Sequence, residues 1–354
     1  MIQKFIIRIL LFPFTLIYGA AISLRNLLYD WKLLKSVSFS LPVIGVGNLS
    51  IGGAGKTPHV EYLIRLLYPF LSVATLSRGY KRKTHGFRIV SRNDDATTAG
   101  DEPIQFFKKF RDIVVAVSES RSIGIPLLLK AFPGIEVVLL DDSFQHRSVT
   151  PGLNILITDY NSLYSSDMLL PAGRLREWKG SADRADIIVV SKCPDGLSDE
   201  KAQEVKRSLD PVPHQHVFFS KYKYLLPYHL FYGHRLNLES VESALLICAI
   251  ANVDYLLSYL NSRNIEVYSM QYEDHHYFSP HDLSVLKQQY TNLPESRKII
   301  ITTEKDATRL ALHRTYIEKE KLPIFILPVE VEFLLDQGKD FDELVKSFLI
   351  NFKV

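Results

Sequence analysis

Val46-Gly47-Asn48-Leu49-Ser50-Ile51-Gly52-Gly53-Ala54-Gly55-Lys56-Thr57-Pro58 is the stretch that decides the fold. It follows a β-branched run, Val43 to Val46, and precedes a segment with helical spacing, Val60 to Tyr68. Glycines let a backbone turn tightly enough for successive N–H groups to face phosphate oxygens, and the amino terminus of the next helix adds a favourable dipole. Ser50, Ile51, Gly52, Gly53, Ala54, Gly55, Lys56 and Thr57 are therefore expected to cradle a nucleoside triphosphate. In this pattern Lys56 reaches the β- and γ-phosphates and Thr57 ligates Mg2+. The usual motif has its first glycine where this chain has Ser50, and Gly52 and Gly53 compensate.

Outward from this loop, short apolar runs recur at Val73 to Leu76, Ile113 to Val117, Val137 to Leu140, Ile155 to Thr158 and Ile187 to Val190. Helical spacing separates several of them, as at Ile104 to Phe110 and Ile123 to Phe132. Such alternation predicts an α/β fold: a mainly parallel, P-loop-type sheet covered on both faces, with function at the carboxyl ends of its strands. Val137 to Leu140 ends in Asp141 and Asp142, which are expected to join Thr57 around Mg2+, directly or through water. Capping of the following turn is the plainer alternative.

The chain changes character after a charged helical segment, Asp199 to Leu209. The predicted organisation is a membrane-associated helix over 1–30, a nucleotide-binding domain over 31–212 and a linker over 213–236 that pairs as strands with 328–335. A smaller α/β domain over 237–327 and a closing helix over 336–354 complete it. The smaller domain rests on a second series of runs and helical segments: Ala244 to Ile250, Tyr255 to Asn261, Ile265 to Met270, Ser279 to Gln289, Lys298 to Thr303 and Ile324 to Leu327.

Among 354 residues, 47% are hydrophobic and 23% charged, which excludes a disordered or collagen-like chain. The net charge of +3 is too small to argue for nucleic-acid binding, and it is concentrated at one end. Lys4, Arg8, Arg25, Lys32 and Lys35 face only Asp30 in residues 1–35. The uncharged run Ile9 to Leu24, framed by Arg8 and Arg25, makes a helix of about 24 Å, short of a bilayer core of about 30 Å. It reads as a retained membrane-surface anchor, with a buried amphipathic helix and a full span as the other readings. Cys193 and Cys248 lack the spacing of a zinc site or disulfide scaffold and fit a reducing compartment.

Further motifs resemble one family, the tetraacyldisaccharide 4′-kinases of lipid A biosynthesis. They are the P-loop with Pro58, Ser77-Arg78-Gly79-Tyr80, Gly100-Asp101-Glu102-Pro103, Leu140-Asp141-Asp142-Ser143-Phe144-Gln145-His146, Pro171-Ala172-Gly173-Arg174-Leu175-Arg176-Glu177, Asp274-His275-His276 and Thr303-Glu304-Lys305-Asp306-Ala307. Singly most are weak; together, in family order, they are specific. Ser143, Trp178 and Ile250 to Val253 depart from the family pattern without removing a titratable or phosphate-binding group. The resemblance implies ATP- and Mg2+-dependent phosphorylation of the 4′-hydroxyl of a tetraacyldisaccharide 1-phosphate. It also implies a peripheral or monotopic enzyme at the cytoplasmic face of the bacterial inner membrane.

By that resemblance Asp101 is the catalytic aspartate and His275 its partner, His276 being the other bearer of that role, and Lys56 assists transfer. Capping of the helix that starts near Pro103 is the plainer reading of Asp101. Glu177 is assigned near the metal, and Arg78, Arg174, Arg176 and His276 to the substrate. Gln145 and His146 are candidates for orienting water or metal ligands, and Glu304, Lys305 and Asp306 for lining the cleft. A metal held by His275, His276 and His281 is disfavoured, because adjacent histidines do not easily face one ion. The rival reading is a P-loop switch or metallochaperone-type NTPase acting on a protein partner.

Overall fold

The computed structural model describes residues 2–353, without the side chains of residues 2–7 and 9; the Lys4 side chain lies outside the described residues. The first part of the chain runs α1 (Ile2–Asp30), β1 (Val43–Gly47), α2 (Lys56–Leu67), β2 (Val73–Ser77), β3 (Arg88–Ile89), α3 (Ala96–Ala99) and α4 (Asp101–Lys109). It continues with β4 (Val114–Val117), α5 (Arg121–Ala131), β5 (Val137–Asp141), β6 (Leu153–Asp159), β7 (Ile187–Ser191), α6 (Asp199–Leu209) and β8 (His216–Tyr224). The remainder comprises β9 (Tyr228–His229), β10 (Ser243–Cys248), α7 (Asp254–Ser262), β11 (Glu266–Gln271), α8 (Pro280–Asn292), β12 (Lys298–Thr303) and α9 (Glu304–Leu310). It ends with α10 (Arg314–Lys319), β13 (Ile324–Leu327), β14 (Val329–Phe333) and α11 (Gly338–Ile350).

Nine strands form the larger sheet in the order β14-β8-β7-β6-β1-β5-β2-β4-β3. All neighbours from β8 to β4 pair in parallel, and only the edges β14 and β3 run antiparallel. Strands buried on both faces read as continuous apolar runs, and every residue of β1, β2, β5 and β7 is buried. Alternate residues serve opposite cores: Ile155 and Ile157 pack with α2 residues Val60 and Ile64, and Leu156 packs with the α6 side. Helix α5 places Ile125 and Leu128 against Val43, Leu76 and Leu140.

A second sheet, β11-β10-β12-β13-β9, is parallel except for the short β9. Strands β8 and β14, which connect the two sheets, hydrogen-bond into the larger one, and α11 packs Phe341 on Phe333 at 4.3 Å between ring centroids. Two helices start earlier than their apolar periodicity indicates. Pro58 and Pro103 lie in the first turns of α2 and α4, where the missing N–H costs nothing, so both helices begin at the polar residues before them.

Helix α1 is longer than its uncharged run. Leu10–Asp30 has a mean hydropathy of 1.4 and is long and apolar enough to cross a membrane. One side packs on the loop 169–178: Tyr18 donates to Arg176 O at 2.9 Å, and the Trp178 indole donates to Ser23 Oγ at 3.0 Å. A Cβ on Gly19 would come within 2.6 Å of the Trp178 ring, so this close approach requires glycine. The other side leaves Leu10, Phe12, Phe14, Leu16, Ile17 and Leu24 exposed.

Candidate active site

The parallel register puts Val46 beside Asp141, so the glycine loop and the paired acids leave neighbouring strands at the same level. Gly55 caps α2 with φ of +93°, and a Cβ there would lie 2.5 Å from the Tyr222 hydroxyl; only glycine fits. Lys56 donates to Asn48 Oδ1 at 3.0 Å and lies 3.2 Å from Asp142. Ser50 bridges Leu175, and Ile51 N donates to Arg174 O at 2.7 Å, so the loop 169–178 forms one lip of the cradle.

Asp142 faces Lys56 and Arg176, the latter at 3.2 Å. Burial opposes its charge, but these two cations hold its carboxyl well below the usual range. Asp141 beside it is pushed up to about 6 by burial and by the Asp142 charge. Its Oδ1 is buried without a hydrogen-bond partner, as a ligand awaiting a cation would be. Thr57, in the first turn of α2, and Asp141 thus fit a hard divalent ion. Arg121, 1% exposed, donates to the carbonyls of Asp141 and Asp142, and its Nε and Nη1 lack partners. Burial lowers His146 to about 4, with the charges of Arg121 and Arg78 adding to the effect. Gln145 donates to Asn48 O at 2.8 Å and so braces the cradle.

The second cluster joins the two sheets. Asp101 is the first residue of α4, whose cap is Gly100, so it is not the N-cap of that helix. Its Oδ2 lies 2.9 Å from His275 Nδ1, and His275 Nε2 lies 3.0 Å from Lys305 Nζ. An ammonium only donates, so Nε2 accepts and Nδ1 carries the proton that goes to Asp101. Burial opposes the charges of both Asp101 and Lys305. The His275 hydrogen bond and the Lys305 charge nonetheless hold Asp101 below the usual carboxylate range, and Glu102, Asp101 and Asp274 raise Lys305. Glu102, 3.0 Å from Lys305, is pushed up to about 7 by burial and by Asp101. Asp101 Oδ1 is buried and has no partner. The dyad is tied to the cradle through one loop: His275 N donates to Ala249 O at 3.2 Å, and Ala251 lies against Gly52 and Gly53.

Three of the residues read from sequence are engaged elsewhere. Glu177 is fully buried; its Oε2 accepts from Arg184 at 2.7 Å and from Asn26 of α1 at 3.2 Å, while its Oε1, like Asp141 Oδ1, is buried without a partner. The Arg174 guanidinium pairs with Asp167 at 3.0 Å. His276 is held by Asp282 at 2.9 Å and stacks on Tyr272, which leaves the partnership with Asp101 to His275. Arg78 is exposed, and its charge acts on Arg121 and His146 near the paired acids.

Arg121, Arg309, Lys192 and His59 are site residues that sequence reading did not single out. Arg309 is buried, lies 3.7 Å from Asp101 and donates to His276 O at 2.9 Å. No local motif marks these four, and each has at least one partner distant in the chain: Asp141 for Arg121, Asp101 for Arg309, Gly53 for Lys192 and Ser220 for His59.

The family model described as Tetraacyldisaccharide-1-P 4'-kinase matches residues 7–349. A tetraacyldisaccharide 4'-kinase of Bacteroides fragilis (strain YCH46) is 44% identical over 349 residues, covering 96% of this chain and 92% of the relative. One of Flavobacterium johnsoniae is 43% identical over 348 residues, covering 97% and 98%. The structure resembles a crystal structure of the "apo" form of LpxK from Aquifex aeolicus in complex with ATP, with a TM-score of 0.74 and 31% identity, covering 97% of this chain and 99% of that one.

Proposed function

Because the chain belongs to the tetraacyldisaccharide-1-P 4'-kinase family, we propose that it moves the γ-phosphoryl group of ATP to the 4′-hydroxyl of a tetraacyldisaccharide 1-phosphate with Asp101 as the base. The observation that carries this reading is the Asp101–His275 contact of 2.9 Å, with the second Asp101 oxygen buried and unpartnered. That oxygen receives the acceptor proton. Neutral His275 orients the carboxylate through its Nδ1–H, and Lys305 fixes the tautomer. A carboxylate held ionised suits a loose transition state, in which the hydroxyl gives up its proton late.

Ser50 to Thr57 receive the triphosphate, and Lys56 balances charge on its outer phosphates as it leaves Asp142. Thr57 and Asp141 would hold Mg2+, with Asp142 adjacent. When bound, that ion neutralises charge on the phosphate oxygens. Arg78 and Arg176 supply positive charge for the anionic substrate, with Arg121 behind them. Residues 31–212 form the nucleotide-binding domain and 237–327 the smaller domain, with 213–236 and 328–335 joining them and 336–354 closing the first. Helix α1 seats the enzyme peripherally on the cytoplasmic face of the inner membrane, its bare apolar side in the lipid.

The test is transfer of label from γ-labelled ATP to a detergent-solubilised acylated disaccharide 1-phosphate, separated by thin-layer chromatography. Label in the lipid is the expected result. Release only as free phosphate would favour a hydrolytic switch instead.

A further inference from the structure

Three consecutive carbonyls of the cradle are gripped from behind. Lys192 donates to Gly53 O and, at 2.9 Å, to Asp159; Ser191 Oγ donates to Ala54 O at 2.6 Å. His59 Nδ1 lies 2.7 Å from Gly55 O, and its Nε2 lies 2.9 Å from Ser220 Oγ. A carbonyl only accepts, so Nδ1 carries the proton and Nε2 accepts from Ser220. Burial lowers His59 to about 4, which keeps the ring neutral in that role. Lys192, Ser191, His59 and Ser220 are buried, and three of these four come from β7, the residue after it, and β8.

In a planar trans peptide the carbonyl and the following N–H point in opposite directions. Holding the Ala54 carbonyl toward Ser191 of β7 and the Gly55 carbonyl toward His59 of α2 therefore aims the N–H groups of Gly55 and Lys56 away from those partners, to the side where phosphate oxygens belong. A glycine-rich loop is otherwise free to rotate, and any ordering left to the nucleotide weakens its binding.

We infer that Lys192, Ser191 and His59 clamp Gly53–Lys56 in its phosphate-receiving shape before nucleotide arrives, Ser191 and His59 setting the Gly55 and Lys56 N–H groups and Lys192 fixing the Gly53–Ala54 peptide that leads into them. This deepens the reading of Ser50–Thr57 as the ATP cradle and rests on it. A clamp of this kind acts on ATP affinity and leaves the acceptor and the transfer step alone.

The test uses the full chain in detergent micelles, with a fluorescent ATP analogue for binding and labelled ATP for turnover. Lys192→Met removes the ammonium but keeps the apolar stem. It is expected to raise KM for ATP by about tenfold to a hundredfold, the range for a lost charged hydrogen bond, with kcat and the acceptor KM within about twofold of wild type. Lys192→Arg should recover most of the affinity. Ser191→Ala, a smaller change, should raise KM for ATP by several-fold and decides the matter if Lys192→Met does not fold. Lys56→Met separates the two ideas. If it binds the analogue as wild type does, the cradle reading falls and the clamp with it. If it loses binding while Lys192→Met and Ser191→Ala keep the wild-type KM for ATP, or lose kcat instead, the cradle stands and the clamp is overturned.

Discussion

His275 Nδ1 lies 2.9 Å from Asp101 Oδ2, although the two residues are 174 positions apart and belong to segments packed on different sheets. Lys305 behind the imidazole, Arg309 beside the carboxylate and Lys109, which bridges Glu61 and Glu304 at 2.6 Å each, reinforce the same junction. The proposed base is thus assembled by tertiary packing, in a buried pocket where charge interactions are poorly screened.

Asp101→Asn retains the shape and an acceptor for His275 but cannot take a proton. Turnover should fall by about 10²- to 10⁴-fold while affinity for the fluorescent ATP analogue stays within about twofold. An equal loss of affinity would move Asp101 into the nucleotide or metal shell.

Removal of divalent ions with a chelator should abolish transfer, and Mg2+ should restore it. Asp141→Asn should raise the Mg2+ concentration needed for half-maximal rate by about tenfold or more, because the buried, unpartnered Oδ1 loses its charge. Glu177→Gln should lower thermal stability, since it weakens the Arg184 and Asn26 contacts, and the Mg2+ concentration at half-maximal rate reads whether its unpartnered Oε1 also serves the metal.

Glu102 carries a pH signature. Its pKa rises from 4.5 to about 7 through burial and the neighbouring Asp101 charge. The folded state therefore binds more protons than the unfolded chain between these values. The stability linked to Glu102 is full below pH 4.5 and is lost as pH rises toward 7. Glu304 and Asp141 act in the same direction, while His59 and His146, both lowered to about 4, act against them, so the signature is a difference: as pH rises across this window, wild type should lose stability relative to Glu102→Gln. Asp101 and Asp142 act the other way, and their contribution is lost as acid protonates them. Chemical denaturation at a series of pH values reads the difference, and parallel curves for wild type and Glu102→Gln would exclude it.

Ile17 is 70% exposed on α1, whereas Tyr18, Ser23 and Asn26 hold the loop that borders the cradle. Ile17→Glu should reduce sedimentation with anionic lipid vesicles severalfold and leave ATP affinity unchanged. Deleting residues 1–30 should impair both, because it strips partners from Arg176, Glu177 and Trp178. A truncated chain with wild-type ATP affinity would refute that link.

The sheet was legible because its buried strands are uninterrupted apolar runs; Lys298–Thr303 and Ile324–Leu327 form at the residues their pattern marks. Gly55 and Lys56 were legible because a phosphate loop imposes local spacing. Lys192, His59, Arg121 and Arg309 were not, since each is defined by a partner far along the chain, such as Ser220 for His59. Glu177 was marked only through its motif's resemblance; its contacts to Asn26 of α1 and to Arg184, which tie helix and loop together, have no signature in the sequence.

The row of bare side chains from Leu10 to Leu24 has a practical corollary for anyone measuring this enzyme. In water such a surface drives purified chains to aggregate or to adopt micelles. On the proposed seating of α1, catalyst and glycolipid meet at the micelle surface, where the mole fraction of acceptor among detergent molecules, rather than its molarity in the tube, should govern the rate.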